Sequence, residues 1–245
     1  MKYDEYRMSP GEKIKYGFIY CMMIMLTAYV FYDSVYAFAI LLPSVFLFLR
    51  FVRGGLIRKR KDELKGQFRD MIDSIASALK AGYSIENSFY ESRKDMLRLH
   101  GRDSLIVREL DYFFVKLENG IPLETILNDF AKRARIEDIS DFSEIFVLAK
   151  RNGGDFTGII GKTVKIMKEK DETEKEISVI LSGRKYEQRV MCIIPIGIII
   201  YLKISGRGFL NVLYHNPAGI LIMTARLFIY IASYLISGKL IDIKV

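Results

Sequence analysis

The sequence predicts an all-α integral membrane protein, with about four transmembrane helices that flank a cytoplasmic helical bundle. Three observations lead to this fold class. The chain is 51% hydrophobic yet 27% charged, and the two kinds of residue occupy separate segments. Its long apolar stretches form two pairs, one towards each end of the chain. Between the pairs, apolar residues recur at helical spacing, and no convincing alternating pattern of a β-strand is present.

Four apolar stretches approach the length of a membrane span: residues 16–32, 35–52, 190–205 and 217–236. A hydrocarbon core of about 30 Å takes roughly 20 helical residues. The fourth stretch has this length, the first two are slightly shorter, and the third is the shortest. Lys203, at the end of the third, would have to extend its ammonium group to the headgroups. Buried helices of a soluble protein are the alternative, which four such stretches in two close pairs disfavour.

The first two stretches predict a membrane hairpin, because little more than Asp33 and Ser34 separates them. The N-terminal stretch does not read as a cleavable signal, since it is too long and no small-residue cleavage site follows it. The tail before the hairpin and the segment after it are rich in positive charge: Lys2, Arg7, Lys13, Lys15, Arg50, Arg53, Arg58, Lys59, Arg60 and Lys61. By the positive-inside rule, both ends of the hairpin are expected in the cytoplasm.

This orientation predicts three domains. Residues 1–52 form the tail and hairpin, residues 53–189 a cytoplasmic helical domain, and residues 190–245 the last pair of spans with its tail. Lys203 and Arg207, on the outer side of the last pair, count weakly against the orientation. The net charge of +8 could also indicate a nucleic-acid partner. The densest basic run abuts a span, where it attracts anionic lipid, so we expect membrane lipid and no nucleic acid.

Helical spacing of apolar residues predicts the bundle. The sets are Phe68, Met71, Ile72, Ile75, Ala76 and Leu79; Ile106, Leu110, Phe113, Phe114 and Leu117; Ile126, Leu127, Phe130, Ala131 and Ala134; and Ile139, Phe142, Ile145, Phe146 and Ala149. A last helix is expected to run from near Thr157 into the third span. On its solvated part, charges such as Lys168 and Glu172 lie four residues apart.

Two short stretches repeat 38 residues apart (120 − 82): LKAGYSIENSF at 79–89 and LENGIPLETIL at 117–127. Each predicts the end of one amphipathic helix, a glycine in the left-handed conformation and the start of another helix. Ser84 is a candidate N-cap, and Pro122 suits the first turn of a helix. A weaker third copy, KRNGGDFTGII at 150–160, places another glycine pair before a helix.

The order of these features resembles the type II secretion system F domain family, and most closely the inner-membrane proteins of tight-adherence (Tad) pilus systems. The resemblance runs from about residue 67 to the last span. It rests on AGYSIENSF, NGIPLETIL, NGGDF and the IIP that contains Pro195. It implies a non-enzymatic inner-membrane platform of a type IV pilus or Tad-type secretion machine. Such a platform engages a hexameric cytoplasmic ATPase and passes its motion to pilin subunits during assembly and export.

The resemblance also implies partners. Many members of the family carry two copies of the helical domain and this chain carries one, which implies a homo-oligomer or a sister platform protein. We expect the ATPase contacts at the turns, because loop tips at one end of a bundle are exposed. The candidate contact residues are Gly82, Glu86, Gly120, Glu124, Gly153, Gly154 and Asp155. Glu86 and Glu124 lie near helix N-termini, where negative charge is favourable.

A second surface is acidic: Glu137, Asp138, Asp141 and Glu144. We interpret it as a solvated helix face, with a contact to a basic rim of the ATPase as the alternative. Arg226 lies near the middle of the fourth apolar stretch, where an arginine costs at least about 2.5 kcal/mol on insertion scales unless it is paired or reaches water. It either reaches the headgroups from a shifted span or contacts another subunit or a pilin's membrane segment.

The sequence predicts no catalytic, metal or cofactor site. The stretch at 154–163 ends in Gly-Lys-Thr like a phosphate-binding loop, but Phe156 stands where the motif needs glycine, and a helix precedes it. Cys21 and Cys192 are expected to be small apolar residues of the spans. No Cys, His or Asp cluster has metal-ligand spacing, and the two histidines would lie on opposite sides of the membrane. A small transporter or channel subunit is the alternative function, and a membrane-anchored signalling scaffold a weaker one.

Overall fold

The computed structural model describes residues 3, 8–152, 155–206, 214 and 216–241. Within that part of the chain every regular element is a helix, so the all-α class is confirmed there. The helices are α1 (Pro10–Phe31), α2 (Val35–Leu41), α3 (Ser44–Lys80), α4 (Ile85–His100), α5 (Leu105–Glu118), α6 (Leu123–Ala134), α7 (Glu137–Asn152), α8 (Phe156–Ser205) and α9 (Pro217–Ile241).

The described residues divide into two compact units. One contains Tyr3 and Arg53–Glu172, and we call it the bundle. The other contains Met8–Val52 and the described residues from Thr173 onwards, and we call it the membrane unit. The boundary before Arg53 falls inside α3, and the boundary after Glu172 falls inside α8.

Among the residues that the structure describes, three helices are long and apolar enough to cross a membrane: Pro10–Phe31, Phe156–Ser205 and Ala218–Gly238. The second predicted span, residues 35–52, differs from the expectation because it is divided between α2 and α3. Pro43 is the physical reason, since it has no N–H and its ring clashes with the preceding turn. Val45 and Phe46 bond instead to the carbonyls three residues back, at 3.1 and 3.3 Å. By length and composition, three spans are therefore found where four were predicted.

The membrane unit pairs its helices in antiparallel fashion. The ring of Tyr20 on α1 stacks on Phe48 of α3 with centroids 4.1 Å apart. The hydroxyl groups of Tyr20 and Ser44 lie 3.0 Å apart. On the other pair, the Tyr230 hydroxyl of α9 donates to the Cys192 carbonyl of α8 at 2.7 Å. Each apolar pair is thus a hairpin of helices.

The bundle is held by a core of aromatic side chains. Six phenylalanines are almost completely buried: Phe68, Phe89, Phe113, Phe130, Phe142 and Phe146. Three of their ring contacts are edge to face, as between Phe68 and Phe142 at 5.6 Å, which is a favourable arrangement for aromatic quadrupoles. The apolar faces predicted for α3, α5, α6 and α7 all contribute to this core, so those helices are confirmed. Ile145 is the exception on α7, because it is only half-buried and is not part of the core.

Ion pairs align α3 and α8 in opposite directions. Arg69 bonds to Asp171, and Asp73 accepts from the Lys168 ammonium group at 2.6 Å, so residue numbers rise along α3 as they fall along α8. Lys168 therefore reaches across to α3 rather than along its own helix to Glu172. Asp73, on the helix packed against α8, is closer to the Lys168 ammonium group than Glu172, one turn along α8.

Candidate functional site

The first repeated turn ends α3. Gly82 has φ of +88°, and its N–H donates to the Leu79 carbonyl at 3.0 Å. The next N–H, of Tyr83, donates to the Ala78 carbonyl at 3.1 Å. These two bonds define a Schellman motif, which satisfies the last carbonyls of a helix.

The second repeated turn has the same geometry. Gly120 has φ of +77°, its N–H donates to the Leu117 carbonyl at 2.9 Å, and the Ile121 N–H donates to the Lys116 carbonyl at 3.1 Å. A Cβ added to either glycine would meet nothing within 4 Å. The left-handed backbone, which costs an L-residue roughly 1–2 kcal/mol, is therefore the reason for glycine here. The sequence repeat encodes one turn twice.

The helices after these turns begin close to where the sequence predicts. The Ser84 hydroxyl accepts the Asn87 N–H at 3.3 Å and caps α4. Pro122 is the residue just before α6 rather than part of its first turn, and its φ of −59° suits that position. Glu86 and Glu124 occupy the first turns of α4 and α6, as expected.

The third turn is only partly within the described residues. Gly153 and Gly154 lie outside them. Asp155 is described, and its Oδ1 accepts the Gly158 N–H at 2.8 Å. Its carboxylate therefore caps the N-terminus of α8, which is a structural use of this candidate contact residue.

The beginnings of α4, α6 and α8 come together at one end of the bundle. The Phe146 ring near the end of α7 lies 6.0 Å from that of Phe89 and 5.3 Å from that of Phe156. The Lys150 ammonium group, also late in α7, pairs with Glu124 Oε1 at 2.9 Å. We call this end of the bundle the turn face, and define it by Gly82, Glu86, Gly120, Glu124 and Asp155.

The two glutamates of the turn face differ in their surroundings. Burial opposes ionisation of Glu124, but the hydrogen bonds from Lys150 and from its own backbone hold the pKa of this carboxyl below its usual value. Its Oε2 is buried without a hydrogen-bond partner among the described residues. Glu86 is exposed and makes no ion pair within that part of the chain. Glu124 thus joins α6 to α7, whereas Glu86 is accessible to a partner.

Sequence reasoning missed a buried polar group that binds the N-terminal tail. Tyr3 is fully buried in the bundle, and its hydroxyl donates to Glu109 Oε1 at 2.7 Å. Arg133 donates to both oxygens of Glu109, at 2.7 and 2.8 Å, and the Arg60 guanidinium lies 5.5 Å above the Tyr3 ring. Burial, followed by the charge of Glu109, raises the pKa of Tyr3, so the phenol remains a donor.

One signal of this group was present in the sequence. Glu109 lies between Ile106, Leu110 and Phe113 on the apolar side of α5, and a charge there requires a buried partner. Tyr3 carries no such signal, because a tyrosine in a polar tail is ordinary. Only the tertiary structure places it in the bundle core.

A second missed pair lies in the membrane unit. The Lys203 ammonium group donates to Asp33 Oδ1 at 2.7 Å and to the Tyr29 carbonyl at 2.6 Å. It is thus paired within the protein instead of reaching for headgroups. Its partner was identifiable in principle, because Asp33 is the acidic residue of the short connection between the first two spans.

Arg226 lies exposed on α9 and makes no ion pair with any described residue. The Gly-Lys-Thr stretch at 161–163 lies inside α8, and the Thr163 hydroxyl donates to the Ile159 carbonyl at 2.9 Å. His100 contacts Asp70 at 2.8 Å, and His215 lies outside the described residues. Among the residues that the structure describes, no group of three or more His, Cys, Asp or Glu could hold a metal ion.

No protein-family model, curated protein or solved structure matches this chain. The function is therefore inferred from the chain's own residues and from the order of its motifs. The turn face, the buried Tyr3 and the paired apolar helices are the features that a function has to explain.

Proposed function

We propose that the chain is an inner-membrane platform protein of a type IV pilus or Tad-type secretion machine. It couples a cytoplasmic ATPase to the assembly and export of pilin subunits. The observation that carries the proposal is the glycine turn formed twice, at Gly82 and Gly120, at one end of an all-helical bundle. Helices of membrane length precede and follow that bundle along the chain.

The first pair of crossings follows from where the chain enters the bundle. Tyr3 and Arg53 both belong to the bundle, whereas Met8–Val52 belongs to the membrane unit. If α1 crosses the bilayer, the chain has to cross again before Arg53 to return to the same side. The proposal therefore retains a second crossing through α2 and the start of α3, with Pro43 as a kink inside it.

The second pair is supported by the contacts of α8 and α9. The Lys203–Asp33 pair joins the end of α8 to the end of α1, and the hydroxyl groups of Tyr32 and Thr224 bring α9 to the same place at 3.0 Å. The α1–α2 connection, the end of α8 and the first part of α9 therefore lie at one end of the membrane unit. Lys203 pairs with Asp33 within the membrane unit, but it still counts as one positive residue on the outer side. The greater positive charge around residues 50–61 favours a cytoplasmic bundle.

The turn face is the surface that we assign to the ATPase. Glu86 offers an exposed carboxylate there, at the N-terminus of α4. The helix α3 ends at this face and α8 begins there, and each continues without a break into the segment assigned to the membrane. A displacement of the turn face can thus be transmitted along two continuous helices to the spans. The membrane segment of a pilin would be bound there.

Co-purification with the ATPase tests this function. We expect the full chain in detergent to elute with the secretion-type ATPase of the same organism and to change its ATP turnover. Glu86→Lys is expected to weaken binding by about tenfold, the scale of one lost and reversed charge contact. Asp103→Lys is the matched control, because Asp103 is 98% exposed and lies at the other end of α4. Absence of binding with ATP or ADP, with or without a sister platform protein, would contradict the proposal.

A further inference from the structure

A groove of about 630 Å³ runs between α6 and α7 on the surface of the bundle. Its apolar lining consists of Ala131, Val147 and Leu148, and Leu148 is 57% exposed. Apolar side chains that line an exposed groove gain free energy when a partner excludes water from them. The groove is therefore a candidate interface.

The two sides of the groove carry opposite charge. Lys132 and Arg135, at the end of α6, form what we call the basic rim. Glu144, midway along α7, lines the other side of the groove, and Asp141 lies one turn before it on the same helix. We call these two residues the acidic rim. Lys132, Asp141 and Glu144 make no ion pair with any residue that the structure describes. Lys132 lies in the last turn of α6 and Asp141 in the second turn of α7, so the two rims overlap in height along the groove.

The acidic rim is crowded in the single chain. Burial, and next the charge of Glu137, raise the pKa of Asp141, and Asp138 and Glu144 act in the same direction. Lys170 lowers it but lies on the α8 side of α7. Cations brought up to this rim from outside would relieve that repulsion.

We propose that this groove is the interface between two copies of this chain, related by a two-fold axis that runs along the groove. Rotation about that axis puts α6 of each copy opposite α7 of the other. The basic rim of one copy then faces the acidic rim of its partner, and the symmetry repeats the contact. The apolar linings close on each other between the two rows of charge.

A second copy fits this surface better than a partner of one charge. A basic protein would be attracted to the acidic rim and repelled by the basic rim beside it, and an acidic protein would meet the reverse. The groove is complementary to itself. This inference chooses a second copy over a sister platform protein, the two partners that the family resemblance implies, and it needs neither the ATPase nor pilin.

Charge reversal tests the interface in a way that a fold defect cannot imitate. We expect the full chain in detergent to form concentration-dependent dimers by sedimentation or native mass spectrometry. Lys132→Glu and Glu144→Lys should each weaken the dimer by about tenfold or more, because each acts on both symmetry-related contacts. An equimolar mixture of the two variants should dimerise as the unchanged chain does, since every substituted side chain then meets an opposite charge.

Cross-linking in native membranes provides a second readout. With Cys21 and Cys192 replaced by alanine, Leu148→Cys should form a disulfide-linked dimer under mild oxidation. Leu99→Cys on α4 is the control and should not form one, although Leu99 is at 67% more exposed than Leu148. A monomer at all concentrations, single reversals without effect, or a mixture that fails to recover would each overturn the proposal. A monomer that still binds the ATPase would overturn it and leave the proposed function intact.

Discussion

Replacing Arg133 with methionine is expected to destabilise the bundle by about 3–5 kcal/mol, the cost of removing one partner of a buried ion pair. The substitution leaves the carboxylate of Glu109, which is 1% exposed, with the Tyr3 hydroxyl as its remaining donor among the described residues. Methionine has nearly the length of the arginine stem, so the loss comes from charge rather than from volume. The tail residue Tyr3 should loosen together with α5 and α6.

The matched control removes both charges. Glu109→Leu combined with Arg133→Met should destabilise the bundle less than Arg133→Met alone, because apolar residues can replace a buried ion pair at little cost. Some loss remains, since the buried Tyr3 hydroxyl then lacks its acceptor. The free energy is measured by hydrogen exchange at the α5 and α6 amides of the full chain in detergent. The buried Arg133–Glu109 pair would not have this role if Arg133→Met lowered the free energy of opening by less than about 1 kcal/mol. The same would follow if the double variant lowered it as much as Arg133→Met alone.

Replacing Asp138 with alanine is expected to destabilise the bundle by about 3 kcal/mol. Asp138 has a side chain 2% exposed and bonds to Arg69 at 2.8 and 3.0 Å and to Lys170 at 3.3 Å. Its loss leaves cations crowded where α3, α7 and α8 meet. The expected cost lies at the lower end of the range of about 3–5 kcal/mol for breaking a buried ion pair, because Asp171 still pairs with Arg69.

The same carboxylate should make stability depend on pH. Burial opposes its ionisation, but hydrogen bonds from Arg69 and the nearby charge of Lys65 hold the pKa of Asp138 below its usual value. Because the pKa is lowered by folding, the ionised carboxylate stabilises the bundle fully above the unfolded-state pKa of about 3.9. This stabilisation is lost as the pH falls through the folded-state pKa. The free energies of opening at α3 and α7 should thus decrease when the pH is lowered below about 4. Asp138→Asn should remove the part of this decrease that is due to Asp138.

Asp141 is the control for Asp138. It lies on the same helix but is exposed, and its pKa is raised rather than lowered. Asp141→Asn should therefore leave stability at neutral pH unchanged or slightly improved. If Asp141→Asn and Asp138→Asn proved equally destabilising, burial and pairing would not be the cause of the Asp138 effect.

Local patterns predicted the helices of the bundle because burial decides them. The apolar spacing on α3, α5, α6 and α7 identified side chains such as Phe68, Phe113 and Phe142 that the structure buries. The glycines at 82 and 120 were equally readable, since a left-handed residue after a helix has few alternatives to glycine. Such features depend on neighbours within a few residues of the chain.

The features that sequence reasoning missed depend on contacts between distant residues. Tyr3 and Glu109 are 106 positions apart, and Lys203 and Asp33 are 170 apart, so no local pattern links them. The break at Pro43 was visible in the sequence. It was overlooked because the apolar composition of residues 35–52 continues through it, whereas the helical hydrogen bonds do not.

The proposed function requires the bundle and the N-terminal tail to lie on the ATP side of the membrane, joined by a hairpin of two crossings. Cysteine labelling in intact cells tests this orientation, with Cys21 and Cys192 replaced by alanine and a membrane-impermeant maleimide as the probe. We expect Ser34→Cys, in the α1–α2 connection, to be labelled from outside. Leu99→Cys, in the bundle, should be labelled only after permeabilisation. Labelling of both positions from the same side, or of Leu99→Cys alone from outside, would contradict it.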